Sequence, residues 1–156
     1  ACGGVLAAGA ATRLFSNRTD VIQMLNGAIG GLVAITAEPL MPSPLAAILI
    51  GAVGGIIVVF GTKLLFKMQI DDVVGAIPAH LFAGVWGTLA VPITNSSASF
   101  SVQLIGVLSI NIFVFFISYI VWFIMKNTMG IRLSKEAEKL GTDVVETGVI
   151  AYAIRD

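Results

Sequence analysis

The chain of 156 residues has little charge, one cysteine and one histidine. Only 12% of its residues are charged, the formal net charge is zero, and 57% are hydrophobic. A water-soluble domain needs a charged coat, and a nucleic-acid-binding domain needs a basic stripe that neutralises phosphates. Cys2 alone forms no internal disulfide and, without other ligands, indicates no metal site. The composition excludes these classes and indicates a membrane protein.

The sequence contains long stretches without charged residues. A helix that spans a membrane needs ~20 consecutive, mainly apolar residues. The uncharged run between Asp72 and Lys126 is too long for one helix, and the segment that begins at Pro92 divides it. The predicted spans cover about residues 1–14, 21–37, 45–62, 73–91 and 102–125. We therefore expect an all-α, polytopic membrane helix bundle. Its first helix is short, so we expect it to be truncated, with residues missing upstream.

The basic residues predict the orientation of this bundle. If the five spans alternate in direction, all nine Lys and Arg residues fall on one side of the membrane. The loops after the second and fourth spans contain neither. The positive-inside rule makes the basic side cytoplasmic. The sequence thus predicts a bundle at residues 1–127 and a cytoplasmic C-terminal tail at 128–156, in an integral protein of the plasma (inner) membrane.

Small residues recur within the spans, as in the pairs Gly27/Gly31 and Gly51/Gly55. In lipid, where packing rather than water expulsion drives helix association, such residues let helix backbones approach closely. Several of these faces together predict a compact bundle rather than isolated anchors.

His80 is the only residue of the fourth predicted span that titrates near neutral pH. As the eighth residue of that span, it is expected ~10 Å from Val73 and close to the bilayer middle. An ionisable residue inside a membrane is a candidate for a substrate or proton path. The alternative is a buried histidine that only bonds a neighbouring helix. A stripe of small residues on the same side should meet protein or a cavity: Ala76, Ala83, Gly84 and Gly87.

Polar residues and a proline accompany this histidine. Pro78 lacks a backbone N–H and so leaves the carbonyl of Val74 without its usual helical partner. Asp71 and Asp72 precede the span and are expected to cap its N-terminus, where they complement the helix dipole. Thr36 ends the second span on the outer side, where its hydroxyl either faces an entrance or caps a carbonyl.

Three segments resemble the ammonium transporter (Amt) family. Residues 70–87, with Asp71, Asp72 and His80, resemble its tenth helix, in which two aspartates precede the second histidine of a paired-histidine pore site. Residues 26–36 are similar to the eighth helix, and residues 141–152 to the cytoplasmic C-terminal signature. The segments follow the family's order across nearly the whole chain. The resemblance makes the chain the C-terminal part of an eleven-helix fold, from within helix seven to the tail.

The resemblance implies transport of ammonium or ammonia through a narrow apolar pore, in a homotrimer whose subunits each contain a pore. It assigns His80 to the pore histidine pair, Ala76 to the pore wall and Thr36 to the outer end of the path. The structural or gating candidates that it implies are Asp71, Asp72 and Pro78. It implies no enzymatic activity, no catalytic residue, no cofactor, no metal and no nucleic-acid partner.

Departures and missing parts qualify this interpretation. In the helix, Gly75 stands where an aspartate is common in the family. In the tail signature, Thr147 and Val149 replace a histidine and a glutamate. The family's tail is the binding site of a PII-type regulatory protein, which the resemblance therefore suggests as a partner. The partner histidine, the phenylalanine gate and the recruitment site belong to the first six helices, so we expect a pore only with those helices. Two alternatives stay open: an ammonium-sensing membrane domain, and a non-transporting fragment that assembles with another subunit.

Overall fold

The helices of the protein follow the apolar stretches of its sequence. The computed structural model describes residues 1–40 and 42–149. Its long helices are α1 (Cys2–Ser16), α2 (Val21–Ile35), α3 (Pro44–Lys67), α4 (Ile77–Thr94) and α5 (Phe100–Thr128). A short helix α6 (Lys135–Leu140) and a π-helical turn (Asp143–Thr147) follow. The chain divides into two units, residues 1–110 and 111–156. Every regular element in the described ranges is helical, as the sequence predicts.

Three of these helices, α3, α4 and α5, are long and apolar enough to cross a membrane. With 15 residues each, α1 and α2 are about 22 Å long, which is shorter than the ~30 Å hydrocarbon core. That the first two stretches also span the bilayer therefore stays a prediction.

The first two helices run antiparallel. Gly4, near the start of α1, packs against Gly31, near the end of α2. Thr12, near the end of α1, accepts a 3.3 Å hydrogen bond from the backbone N–H of Asp20, which caps the start of α2. The two ends of α1 thus meet opposite ends of α2.

Glycines form the contact between α2 and α3. Gly30 lies against Gly54, where a Cβ would come within 2.7 Å of the Gly30 carbonyl oxygen, and Gly31 lies against Gly51. Since later residues of α2 meet earlier residues of α3, these helices are also antiparallel. The predicted small-residue faces are packing faces, at which backbones approach as they do in membrane bundles.

α3 and α4 are antiparallel as well. The indole Nε1 of Trp86 donates a 3.0 Å hydrogen bond to the carbonyl oxygen of Ile50, while Gly61, further along α3, packs against Pro78 at the start of α4. α1 to α4 therefore alternate in direction, which agrees with the topology that the charge pattern predicts.

One end of the first unit gathers basic residues. The rings of Phe15 in α1 and Phe60 in α3 meet edge to face with their centroids 5.1 Å apart. Lys63 Nζ lies 5.7 Å and 5.9 Å from these centroids, at distances suited to cation–π attraction. The four basic residues that precede α4 lie at this end, in or after the last turns of α1 and α3: Arg13, Arg18, Lys63 and Lys67.

The second unit begins within α5. No residue of α5 is buried by the described part of the chain. In the predicted tail, Ser134 Oγ caps α6 by accepting a 3.1 Å hydrogen bond from the Ala137 N–H. Arg132 and Glu138 form an ion pair of 2.7 Å. Residues 150–156, including the end of the predicted tail signature, lie outside the described residues.

Candidate functional site

His80 lies in a π-helical segment at the start of α4. Ile77–Phe82 is wound as a π-helix and Ala83–Thr94 as an α-helix. The helix begins at Ile77, so His80 lies three residues beyond its start, whereas the sequence predicted a span that begins at Val73. π-Helical turns are rare in proteins, and those that occur often lie at functional sites.

Asp72 explains why α4 begins later than predicted. Its Oδ1 accepts a hydrogen bond from the N–H of Ala76 and its Oδ2 one from the N–H of Ile77, both 2.9 Å long. Its carbonyl oxygen accepts from the N–H of Gly75 at 3.2 Å, which closes a turn before the helix. The Asp72 carboxylate therefore caps the N-terminus of α4, with Ala76 at the N-cap position, whereas the same expectation for Asp71 is wrong. The carboxylate of Asp71 makes no hydrogen bond to the described residues.

The two aspartates allow a matched test of this cap. We expect Asp72→Ala to lower the free energy of unfolding by about 1–2 kcal/mol, because two backbone donors lose their acceptor. Asp71→Ala removes the same charge without removing a hydrogen bond, and should change stability by less than about 0.5 kcal/mol. Thermal unfolding of both variants in detergent measures the difference. Equal losses would show that charge near the helix end, rather than the cap, matters.

A side chain of α2 satisfies the Val74 carbonyl. Asn26 Nδ2 donates a 2.9 Å hydrogen bond to the carbonyl oxygen of Val74. The amide is largely buried, with Asn26 9% exposed. The sequence indicates that Pro78 leaves this carbonyl open, but it does not identify Asn26 as the donor. The available signal was an amide side chain inside an otherwise apolar helix.

α4 packs its small residues against α2 and α3 and leaves His80 on the opposite side. Ala79 and Ala83 are buried, and a Cβ at Gly87 would lie 2.3 Å from the Ala34 carbonyl oxygen. His80 and Ala76 are exposed. The single stripe predicted for these residues is therefore wrong. A π-helix has more residues per turn than an α-helix, so it rotates the later positions away from the histidine.

The open face of α4 leaves the imidazole free. The imidazole of His80 makes no hydrogen bond to any residue in the described ranges 1–40 and 42–149. Nor does His80 line the open pocket of ≈ 480 Å³ that Asp71 and Asp72 form with the end of α3. The described residues contain no group of three or more His, Cys, Asp or Glu that could hold a metal ion.

Thr36 ends α2 and acts as a cap. Its hydroxyl donates a 2.7 Å hydrogen bond to the carbonyl oxygen of Val33. Just beyond it, Asn95 Nδ2 donates a 2.9 Å hydrogen bond to Glu38 Oε2, which links the segments that follow α2 and α4. The structure thus shows Thr36 as a carbonyl cap, and the position of its hydroxyl at an entrance stays a prediction.

All predicted site residues except Thr36 are near one another in the chain itself. Those at the start of α4 lie within one short segment: Asp71, Asp72, Ala76, Pro78 and His80. Ala83, three residues after His80, lies beside Gly30. Thr36 is six residues beyond Gly30, or about 9 Å further along α2. It therefore does not contact His80.

Comparisons with known proteins extend the sequence resemblance. Residues 1–152 match the model of the Ammonium Transporter Family. The chain is 36% identical to the ammonium transporter Amt2 of Archaeoglobus fulgidus, over 97% of this chain and 37% of that protein. It is 41% identical to a putative ammonium transporter of Synechocystis, over 95% of this chain and 34% of that protein.

A solved structure shares the fold. The chain matches a sensor Amt protein with a TM-score of 0.82 and 27% identity, over 94% of this chain and 40% of that one. The match confirms the expected all-α, polytopic fold. The chain thus spans 34% to 40% of the length of these three proteins.

Proposed function

Because the chain belongs to the ammonium transporter family, we propose that it is the C-terminal part of a protein that conducts ammonium or ammonia across a membrane. The chain is an integral membrane protein. The curated relatives described above are named as transporters, so we assign it no enzymatic activity.

The observation that carries the proposal is the position of His80. Its imidazole lies on the exposed side of α4, opposite the face that packs against α2 and α3. An ionisable side chain in an apolar helix is costly against lipid and is expected to face a protein interior or a cavity. The remaining helices of a complete transporter would cover this side. By the family resemblance, they would supply the partner histidine and the phenylalanine gate.

The chemistry of the residues suits this role. Bringing the charge of ammonium into an apolar pore costs several kcal/mol, whereas ammonia is neutral, so such a pore favours separation of the proton at its mouth. A neutral imidazole has one donor and one acceptor nitrogen, so it can hydrogen-bond ammonia and pass a proton. Ala76, one turn before His80 on the same exposed side, would leave room in the pore wall. Thr36 would lie towards the outer mouth.

The charge pattern and the family suggest the setting. The end that carries Arg13, Arg18, Lys63 and Lys67 would be cytoplasmic by the positive-inside rule, with the C-terminus on the same side of the plasma membrane. The complete protein would be a homotrimer, and a PII-type regulator is the partner that the tail suggests.

Flux measurements on the complete transporter test the proposal. Proteoliposomes that contain it should take up ammonium faster than empty vesicles and discriminate against potassium, because the pore lacks charge to replace the hydration of a cation. Empty vesicles of the same lipid are the control. Absence of ammonium-dependent flux in correctly inserted protein would contradict transport.

A second candidate function is ammonium sensing. It is favoured by one observation, the fold match to a protein named as a sensor Amt protein. The same vesicles distinguish the two functions. A sensor would bind ammonium, as seen by calorimetry, without passing it, whereas a transporter would do both.

A further inference from the structure

We propose that Asn26 is a positioning residue for His80. Through its hydrogen bond to Val74, the side chain would hold the π-helical segment in the rotation that presents the imidazole on the open side of α4. The inference rests on the proposed function, because positioning matters for transport only if His80 takes part in it.

The hydrogen bond joins two elements that the chain separates widely. Asn26 belongs to α2, and the carbonyl that accepts its 2.9 Å hydrogen bond lies 48 residues later, directly before α4. Asn26 is 9% exposed. Val74 is 69% exposed, so the buried partner of this bond is the Asn26 amide. Without this donor, the Val74–Gly75 peptide loses the side chain that fixes its orientation, and we expect it to rearrange.

Gly75 shows how tightly this peptide is held. Its φ of +74° lies in the left-handed region, which favours glycine, and a Cβ there would lie 2.4 Å from Asn26 Nδ2. The carbonyl of Gly75 accepts a 3.2 Å hydrogen bond from the N–H of Ala79, the residue before His80. The residue that follows the Val74 carbonyl, Gly75, is therefore hydrogen-bonded to Ala79, the neighbour of His80.

The π-helical segment is held on its other side by Pro78, which is fully buried against Gly61 of α3. Asp72 accepts hydrogen bonds from the N–H groups of Ala76 and Ile77, and Pro78 has no N–H to donate. A change at the Val74–Gly75 peptide would pass into the π-helical segment through the hydrogen bond from the Ala79 N–H to the Gly75 carbonyl. A return to α-helical winding would turn His80 about the helix axis.

Gln23 provides a matched control on the same helix. It is also an uncharged amide of α2, but its Oε1 is buried without a hydrogen-bond partner among the described residues. Its side chain lines a different pocket, together with Arg18 and Lys63. Gln23→Leu therefore makes the same kind of substitution as Asn26→Leu without removing a hydrogen bond to the segment before α4.

A double-mutant cycle in the complete transporter tests the inference. We expect Asn26→Leu to lower the selectivity for ammonium over potassium about tenfold in proteoliposomes, the effect of losing one well-formed hydrogen bond. In the His80→Ala background the same substitution should have no further effect, because the group that it positions is absent. Gln23→Leu should leave selectivity unchanged in both backgrounds.

The outcomes separate this inference from the proposed function. Equal effects of Asn26→Leu with and without His80 would make Asn26 merely structural and overturn the inference. If His80→Ala alone changes nothing, the proposed function fails. Positioning is then judged by the rate at which diethyl pyrocarbonate modifies His80, followed by mass spectrometry of its peptide. A severalfold difference between Asn26→Leu and Gln23→Leu supports positioning, and equal rates overturn it.

A milder substitution keeps the test possible if the Asn26→Leu protein fails to insert into the membrane. If Asn26→Leu does not insert, Asn26→Ser, with a shorter donor, goes through the same cycle and the same modification assay. Non-additivity with His80→Ala supports positioning, and additivity overturns it.

Discussion

Replacing His80 by alanine in the complete transporter is expected to lower ammonium flux, or its selectivity over potassium, by at least about tenfold. The imidazole is the ionisable group that the exposed side of α4 offers to a pore. Without it, the pore wall at this position loses both its donor and its acceptor. Ammonia would then have no hydrogen-bonding partner on α4, and a proton would have no site there.

Flux and stability together isolate this effect. His80 makes no side-chain hydrogen bond to the described residues, so the variant should keep the thermal stability of the parent protein. Leu81→Ala is the matched control, since Leu81 is the next residue, is 43% exposed and cannot carry a proton. Uptake of ammonium and of potassium into proteoliposomes measures both properties, whichever of the ion and the neutral molecule is conducted. Unchanged flux and selectivity in the His80 variant would remove His80 from the mechanism.

Gly55→Ala is expected to destabilise the bundle by about 3 kcal/mol, near the upper end of the usual cost of overpacking. A Cβ at this position would lie 2.2 Å from the carbonyl oxygen and 2.7 Å from the Cα of Gly4. These are backbone atoms of α1, so no rotamer change relieves the clash. The two helices would have to separate, which also disturbs the contact of Gly4 with Gly27 and Gly31 of α2.

Gly106→Ala is the control for this prediction. Gly106 lies in the apolar helix α5, and a Cβ there meets nothing within 4 Å in the described protein. The substitution should leave stability unchanged or raise it by about 0.5–1 kcal/mol, because alanine favours helix. Thermal unfolding in detergent compares the two variants. Similar midpoints for both would mean that α1 and α3 are not packed through Gly4 and Gly55.

Much of the fold follows from local properties of the sequence. Uncharged runs predict the long helices, since hydropathy accumulates along a segment regardless of its partners. The cap at Asp72 is also local, because a carboxylate reaches backbone N–H groups a few residues later. Alternating direction follows from the short links between α1, α2 and α3.

The candidate site is less predictable, as Thr36 and His80 show. Thr36 had two alternatives in the sequence; the structure shows its hydroxyl bonded to the Val33 carbonyl, and its place at an entrance stays a prediction. The side of α4 on which His80 lies depends on helical winding. A regular α-helix would place it in one stripe with Ala83 and Gly87, but the π-helical segment separates them.

The sequence by itself determined that this protein is a helical membrane bundle with one ionisable group in its fourth long apolar segment, because composition and spacing are properties of the chain alone. It also determined that Pro78 would leave a carbonyl open, since proline lacks an N–H. Only the tertiary structure decided that Asn26 closes that carbonyl and that His80 faces away from α2 and α3. Both depend on packing between helices that are distant in the chain, and no local rule specifies such contacts.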